Sequence, residues 1–176
     1  HLYARRQRQM CIRDRLSTPE EITNEIPLDK ESSKLIFGAR RSISQILHRQ
    51  DDRVIVVVGP CSIHDPKAAL EYAKLLKDFS SSVENELMVV MRVYFEKPRT
   101  TIGWKGLIND PRLDNSFKIN EGLRISRKLL KDIADLGMPT GTEFLDLISP
   151  QYVSDLVCWG ATVSYTHLTL PTSIQV

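Results

Sequence analysis

Cys61 and His64 stand three residues apart in Gly59-Pro60-Cys61-Ser62-Ile63-His64-Asp65-Pro66, directly after five β-branched residues, Val54 to Val58. A thiolate and an imidazole both ligate divalent metals; the plainer alternative is a small buried cysteine and a histidine bonded locally ahead of a helix. A second chemical stretch gathers Arg92, Lys97, Arg99 and Lys105 with Thr100, Thr101 and Gly103. Guanidinium forks, ammonium point charges, hydroxyls and backbone amides together make a shell for phosphate or carboxylate. A solvated basic loop would not require Arg92, which sits inside the apolar run Met88-Val89-Val90-Met91-Arg92-Val93-Tyr94. An unpaired charge there costs several kcal/mol, so Arg92 is read as functional. Glu143, at the end of a short third predicted strand around Thr140 to Phe144, would either orient a cation, a water or a substrate hydroxyl, or pair with Arg92.

These positions recur at one place in a repeating pattern. Thr18-Pro19-Glu20-Glu21 offers a helix cap, an N1 proline and a capping-box acid. Leu35, Ile36, Ala39, Ile43, Ile46 and Leu47 predict a helix from about Lys30 to His48, with Lys34, Arg40 and Arg41 outward. Val54 to Val58 predicts a strand buried on both faces. Asp65-Pro66 opens a helix with apolar Ala69, Tyr72, Ala73, Leu75, Leu76 and Phe79, and Leu87 to Tyr94 predicts a second strand. Asn120 is the expected cap of a helix ending at Gly137; a strand at Thr140 to Phe144 follows, then a helix from Ser149-Pro150 to about Trp159. Strands alternating with helices of this length indicate a parallel sheet, in a (β/α)8 barrel or an open doubly wound fold. In both, chemistry gathers on loops after the carboxyl ends of strands, where all three stretches fall.

The chain of 176 residues is 41% hydrophobic and 26% charged, as in an ordinary globular domain. No apolar run approaches a membrane span and no secretory leader is visible, so a cytoplasmic location without a membrane partner is expected. Cys11, Cys61 and Cys158 are too few and too scattered for a disulfide framework. The net charge of +2 conceals a basic start: residues 1–15 carry five arginines against one acid. With no aromatic platform or basic helix face behind that arm, a nucleic-acid partner is not expected.

Val-Gly-Pro-Cys-Ser-Ile-His-Asp-Pro, Met-Arg-Val-Tyr-Phe-Glu-Lys-Pro-Arg-Thr-Thr and Gly-Trp-Lys-Gly-Leu-Ile-Asn-Asp-Pro, in this order, closely resemble the 3-deoxy-D-arabino-heptulosonate 7-phosphate (DAHP) synthases of the feedback-regulated microbial type. The resemblance runs over residues 16–161. It implies the N-terminal part of a (β/α)8 barrel (54–161) preceded by a helical extension (16–53). It implies condensation of phosphoenolpyruvate with erythrose 4-phosphate, the first step of the shikimate pathway to the aromatic amino acids. A divalent metal ion (manganese, iron, zinc or similar) is implied with Cys61 as its thiolate ligand. Arg92 would hold phosphoenolpyruvate, Lys97 would lie between the substrates, Pro98, Arg99 and Thr100 would form the erythrose 4-phosphate site, and Glu143 would sit at the phosphoenolpyruvate pocket. Leu147, Pro150 and Gln151 would lie near a site for an aromatic amino acid inhibitor, and the full-length enzyme would be a homo-oligomer. Lys97-Pro98-Arg99-Thr100 speaks against the related synthase that uses arabinose 5-phosphate.

After Ala161 the family pattern breaks: the fourth strand and its arginine-bearing loop are expected to be replaced by a non-family tail, 162–176, as residues 1–15 are expected to be a non-native leader. The remaining metal ligands of the family lie on later strands, and His167 matches no motif. The expectation is therefore a fragment, inactive or nearly so alone and poorly stable, with a non-catalytic sugar-phosphate or aromatic amino acid binding module as the alternative.

Overall fold

The computed structural model describes residues 15–97 and 103–162. Helix α1 (Pro19–Glu25) begins as its residues dictate: the Thr18 hydroxyl accepts from Glu21 N while the Glu21 carboxylate accepts from Thr18 N, with Pro19 at N1. Asp29 caps α2 (Lys30–Leu47) by accepting from Ser32 N, and Asp65 caps α3 (Pro66–Ser82) by accepting from Lys67 N. Between and after these lie β1 (Val54–Val58), β2 (Leu87–Arg92), α4 (Ile119–Asp135), β3 (Thr140–Phe144), α5 (Pro150–Val153), a 3-10 turn (Ser154–Leu156) and β4 (Trp159–Thr162).

The four strands are parallel and ordered β1-β2-β3-β4, in register from Val54 opposite Leu87 to Phe144 opposite Thr162. They form one curled half of a (β/α)8 barrel, the fold expected from the sequence. Strand alternation divides the packing. Val89, Met91 and Val93 join Ala69, Ala73, Leu129, Leu130 and Ile133 in the main core, while Met88 and Val90 pack with Ala39 and Ile43 of α2. Ala39 and Ile43 of α2 thus cover one side of the sheet, while Ile22 of α1 and Ile36 of α2 join the crossover helices in the main core. Arg124 fastens α1 by pairing with Glu25, and Tyr152 donates to Ser17 O.

Several local expectations give way to tertiary context. β1 is an edge strand, not a doubly buried one: Val54, Val57 and Val58 are 59%, 38% and 37% exposed, and among the described residues β2 is its one hydrogen-bonded neighbour. Leu75 and Phe79 of α3 are likewise exposed, and its buried stripe narrows to Ala69, Ala73 and Leu76. Asn120 is not a cap. Its Oδ1 accepts from Ser17 N and its Nδ2 donates to Arg15 O, so the side chain anchors the chain entering α1. The helix expected from Ser149 to Trp159 stops at Val153, turns once, and enters β4. Arginines take the carbonyls that a longer helix would have used: Arg127 donates to Tyr152 O, and Arg40, expected to face outward, donates to Ser154 O and Val157 O. Among the described residues no helix is long and apolar enough to cross a membrane.

Candidate active site

The loops leaving β1, β2 and β3 meet at the carboxyl end of the sheet. Ile63 N donates to Tyr94 O at 2.7 Å, and Arg92 Nη2 donates to Cys61 O at 3.3 Å, so the loop after β1 is pinned to the continuation of β2. Beyond Tyr94 the chain forms the base of a two-stranded arm. Glu96 pairs antiparallel with Gly106, Lys97 N donates to Lys105 O, and Leu107 N donates to Phe95 O. Gly106 is required there, at φ +109°, because a Cβ would lie 2.1 Å from Phe95 O. This arm carries Lys97 to the exposed Cys61, with Nζ 3.7 Å from Sγ.

Arg92 is half-buried, its guanidinium carbon 3.9 Å from the centroid of the Tyr94 ring. Its Nε is buried with no hydrogen-bond partner. A donor buried without an acceptor costs free energy, and at a strand end in a parallel sheet it is suited to an anion. The alternative partner named for it, Glu143, forms no ion pair with it: among the described residues no such bridge occurs, and Arg92 instead meets a backbone carbonyl and an aromatic ring. Glu143 is half-buried at the end of β3 and adds its field to that of Glu96.

Glu96 was not singled out by its sequence position. Its carboxylate accepts from Asn109 Nδ2 at 3.1 Å and Ser149 Oγ at 3.4 Å. Burial pushes its pKa above the ordinary glutamate value, and the negative charges of Asp146 and Glu143 push the same way against those two hydrogen bonds. The available signal was an acid between the buried Phe95 and the basic run; that it bridges the loops after β2 and β3 depends on Ser149, 53 residues on.

Pro98, Arg99, Thr100 and Thr101 lie outside the described residues, as do Cys11 and His167. Leu147 and Gln151 are exposed beside each other, Gln151 Nε2 donating to Leu147 O, and Pro150 is the first residue of α5. Cys158 is buried on a Thr140 carbonyl, and burial pushes its thiol up to about 12. Cys61 and His64 are both exposed, and among the described residues no three His, Cys, Asp or Glu side chains gather as a metal site.

Compared with known proteins, residues 25–167 match the model of the DAHP synthetase I family. The chain is 57% identical over 146 residues to the phospho-2-dehydro-3-deoxyheptonate aldolase of Amycolatopsis methanolica, covering 83% of this chain and 72% of that protein. It is 52% identical over 165 residues to the Phe-sensitive enzyme of that name from Escherichia coli K12, covering 91% of this chain and 47% of the relative. It is 52% identical over 159 residues to the tyrosine-inhibited one of Schizosaccharomyces pombe, covering 88% and 43%. Among solved structures, the phospho-2-dehydro-3-deoxyheptonate aldolase of Francisella tularensis SCHU S4 superposes with a TM-score of 0.83 at 54% identity, covering 85% of this chain and 44% of that one. The chain thus spans less than half the length of these last three proteins.

Proposed function

The chain belongs to the DAHP synthetase I family, and on that premise we propose that its strand-end loops are part of an active site condensing phosphoenolpyruvate with erythrose 4-phosphate to DAHP and phosphate. The observation that carries this reading is the buried Arg92 Nε without an acceptor, at the end of β2 and beside the Cys61 and Lys97 pair. Such a donor suits an anionic substrate better than it suits a structural joint.

In the proposed reaction C3 of the enol phosphate attacks the aldehyde carbon, water adds at C2, and phosphate leaves. Two anionic substrates repel one another when brought side by side, and cations offset this. Arg92 would grip phosphoenolpyruvate through its fork, stiffened by stacking on Tyr94. Lys97, held at the base of the arm, would stand between the substrates, and Pro98, Arg99 and Thr100 would bind erythrose 4-phosphate. Glu143 would orient a water or a hydroxyl at the phosphoenolpyruvate end. A divalent metal ion, when bound, supplies Lewis-acid polarisation of the aldehyde carbonyl. Cys61 is an accessible thiol suited to be one of its ligands, but the described residues do not complete a metal site. The names of relatives sensitive to phenylalanine or inhibited by tyrosine support an aromatic amino acid effector, and Leu147, Pro150 and Gln151 would lie near its site.

Calorimetric titration of phosphoenolpyruvate into the chain tests the anion site. Binding that weakens by roughly a hundredfold in Arg92→Ala, the range for lost charge-assisted hydrogen bonds, supports the reading; equal binding by both proteins sinks it. Binding without any DAHP formed, in a gene product that also supplies the later strands, would instead favour the non-catalytic binding module.

A further inference from the structure

Cys61 and Lys97 meet in a way that substrate binding does not require. The thiol is exposed, so a small oxidant reaches it, and Lys97 Nζ lies 3.7 Å from its sulfur. Both partners sit on backbone tethered by hydrogen bonds. The Cys61 backbone is held by Arg92 at its carbonyl, its neighbour Ile63 is bonded to Tyr94 O, and Lys97 N is bonded to Lys105 O within the two-stranded arm. Two adjacent strand ends thus present a sulfur and an amine to one another. An oxidised cysteine ordinarily condenses with a second thiol. Among the described residues the other thiol is Cys158, which is buried, bonded to Thr140 O and held firmly protonated by that burial. Among the described residues, the nucleophile in contact with the Cys61 sulfur is therefore the Lys97 amine.

We propose that Cys61 and Lys97 are a redox modification site in which mild peroxide closes a covalent sulfur–nitrogen link. In the first step the Cys61 sulfur attacks hydrogen peroxide: the O–O bond breaks, sulfur is oxidised to sulfenic acid, and peroxide is reduced to water. In the second step the Lys97 amine attacks that sulfur. The S–N bond forms, the S–O bond breaks, and the departing hydroxyl leaves as water with a proton from the amine nitrogen. The sulfenamide carries two hydrogens fewer than the separate thiol and amine, and an added thiol reduces it back to both. The link removes a nucleophilic thiol and a cation from the site together and blocks further, irreversible oxidation of Cys61. It rests on contact geometry and not on turnover, so it stands or falls separately from the proposed reaction.

The test is mass spectrometry of the reduced full chain after brief treatment with hydrogen peroxide, followed by proteolysis. The expected product is one cross-linked species joining the Cys61 and Lys97 peptides, at their summed mass less two hydrogens, and lost on adding dithiothreitol. Treatment in concentrated urea should abolish it, which separates a built contact from chance reaction without relying on a variant. In Lys97→Gln, trapping of Cys61 sulfenic acid by dimedone should rise several-fold over the wild type. Three results overturn the proposal: Cys61 oxidised in the native chain without a link to Lys97, linkage spread over other lysines, or the same yield in urea.

Discussion

Arg127 and Arg92 are the same side chain put to opposite uses. Arg127 is fully buried and every nitrogen is engaged: Nε donates to Ile26 O, Nη1 to Tyr152 O and Asp155, and Nη2 to Asp155, all within 2.8 Å. That fork joins the end of α1, the middle of α4 and the turn before β4. Arg92 makes one long bond to Cys61 O, stacks on Tyr94 and leaves Nε buried without an acceptor. Where donors are all satisfied within the chain, the arginine is a structural joint; where they are not, its capacity is kept for something that arrives later.

The largest effect should come from breaking the joint. Arg127→Met strands the carbonyls of Ile26 and Tyr152 and leaves Asp155 without its partner. Because the Asp155 side chain is 39% exposed and can be hydrated, the cost should fall at the low end for a broken buried pair, about 3 kcal/mol. Urea unfolding measures it, and an unchanged midpoint would erase the distinction between the two arginines. Arg92→Met should behave in the reverse sense. It removes an unsatisfied donor, so stability should shift by no more than about 0.5 kcal/mol. Phosphoenolpyruvate affinity should nonetheless fall roughly a hundredfold. Both quantities need measuring on one preparation, since a variant that loses stability and affinity together would make Arg92 a second joint.

How much of this was readable beforehand follows the range of each interaction. Capping signals act within four residues, and Thr18, Asp29 and Asp65 all cap their helices; the first and third were visible as Thr-Pro-Glu-Glu and Asp-Pro. The apolar runs located β1 and β2, and Arg92 stood out because a charge inside such a run demands a reason. The failures are of longer range. Asn120 reads locally as a cap, yet its partner is Ser17, 103 residues away. The end of α5 is decided by Arg40 and Arg127, both on other helices. Val54 to Val58 has the composition of a doubly buried strand, but burial is a property of neighbours, and in the four-stranded sheet it stands at the edge. Glu96 was passed over for the same reason, its significance residing in contacts with Asn109 and Ser149.

Glu96 lies between the two arginines in character, satisfied by hydrogen bonds yet uncomfortable when charged. Its folded pKa is raised, first by burial and then by Asp146 and Glu143, so the fold favours the protonated form. The stability this contributes is fully present below the ordinary glutamate value of 4.5 and is lost as pH rises through the folded value. Glu96→Gln stays neutral at every pH and keeps an acceptor for Asn109. The variant should therefore be more stable than the wild type at pH 7, with the gap closing as pH falls through the raised folded value and closed by about 4.5. Unfolding midpoints across that range decide it: a gap that is constant, or that opens in acid, would mean that Glu96 is a joint needing its charge.

The smallest predicted effect probes the joint from its far end. Thr18 starts the helix whose terminal carbonyl, at Ile26, Arg127 grips. Thr18→Ala removes the hydroxyl from an exposed capping box, and the cost should be about 0.5 kcal/mol, low for an N-cap because water reaches the freed amide. Its use lies in combination. If Arg127 is what holds α1 on the body of the fold, the helix is already loosened in Arg127→Met, and losing its cap should then matter less. The double variant should lose measurably less stability than the two single losses added together, whereas sites this far apart would otherwise be additive. Strict additivity in a double-mutant cycle would show α1 held chiefly by Arg124 and Tyr152, and would reduce Arg127 to a joint between α4 and the turn before β4 alone.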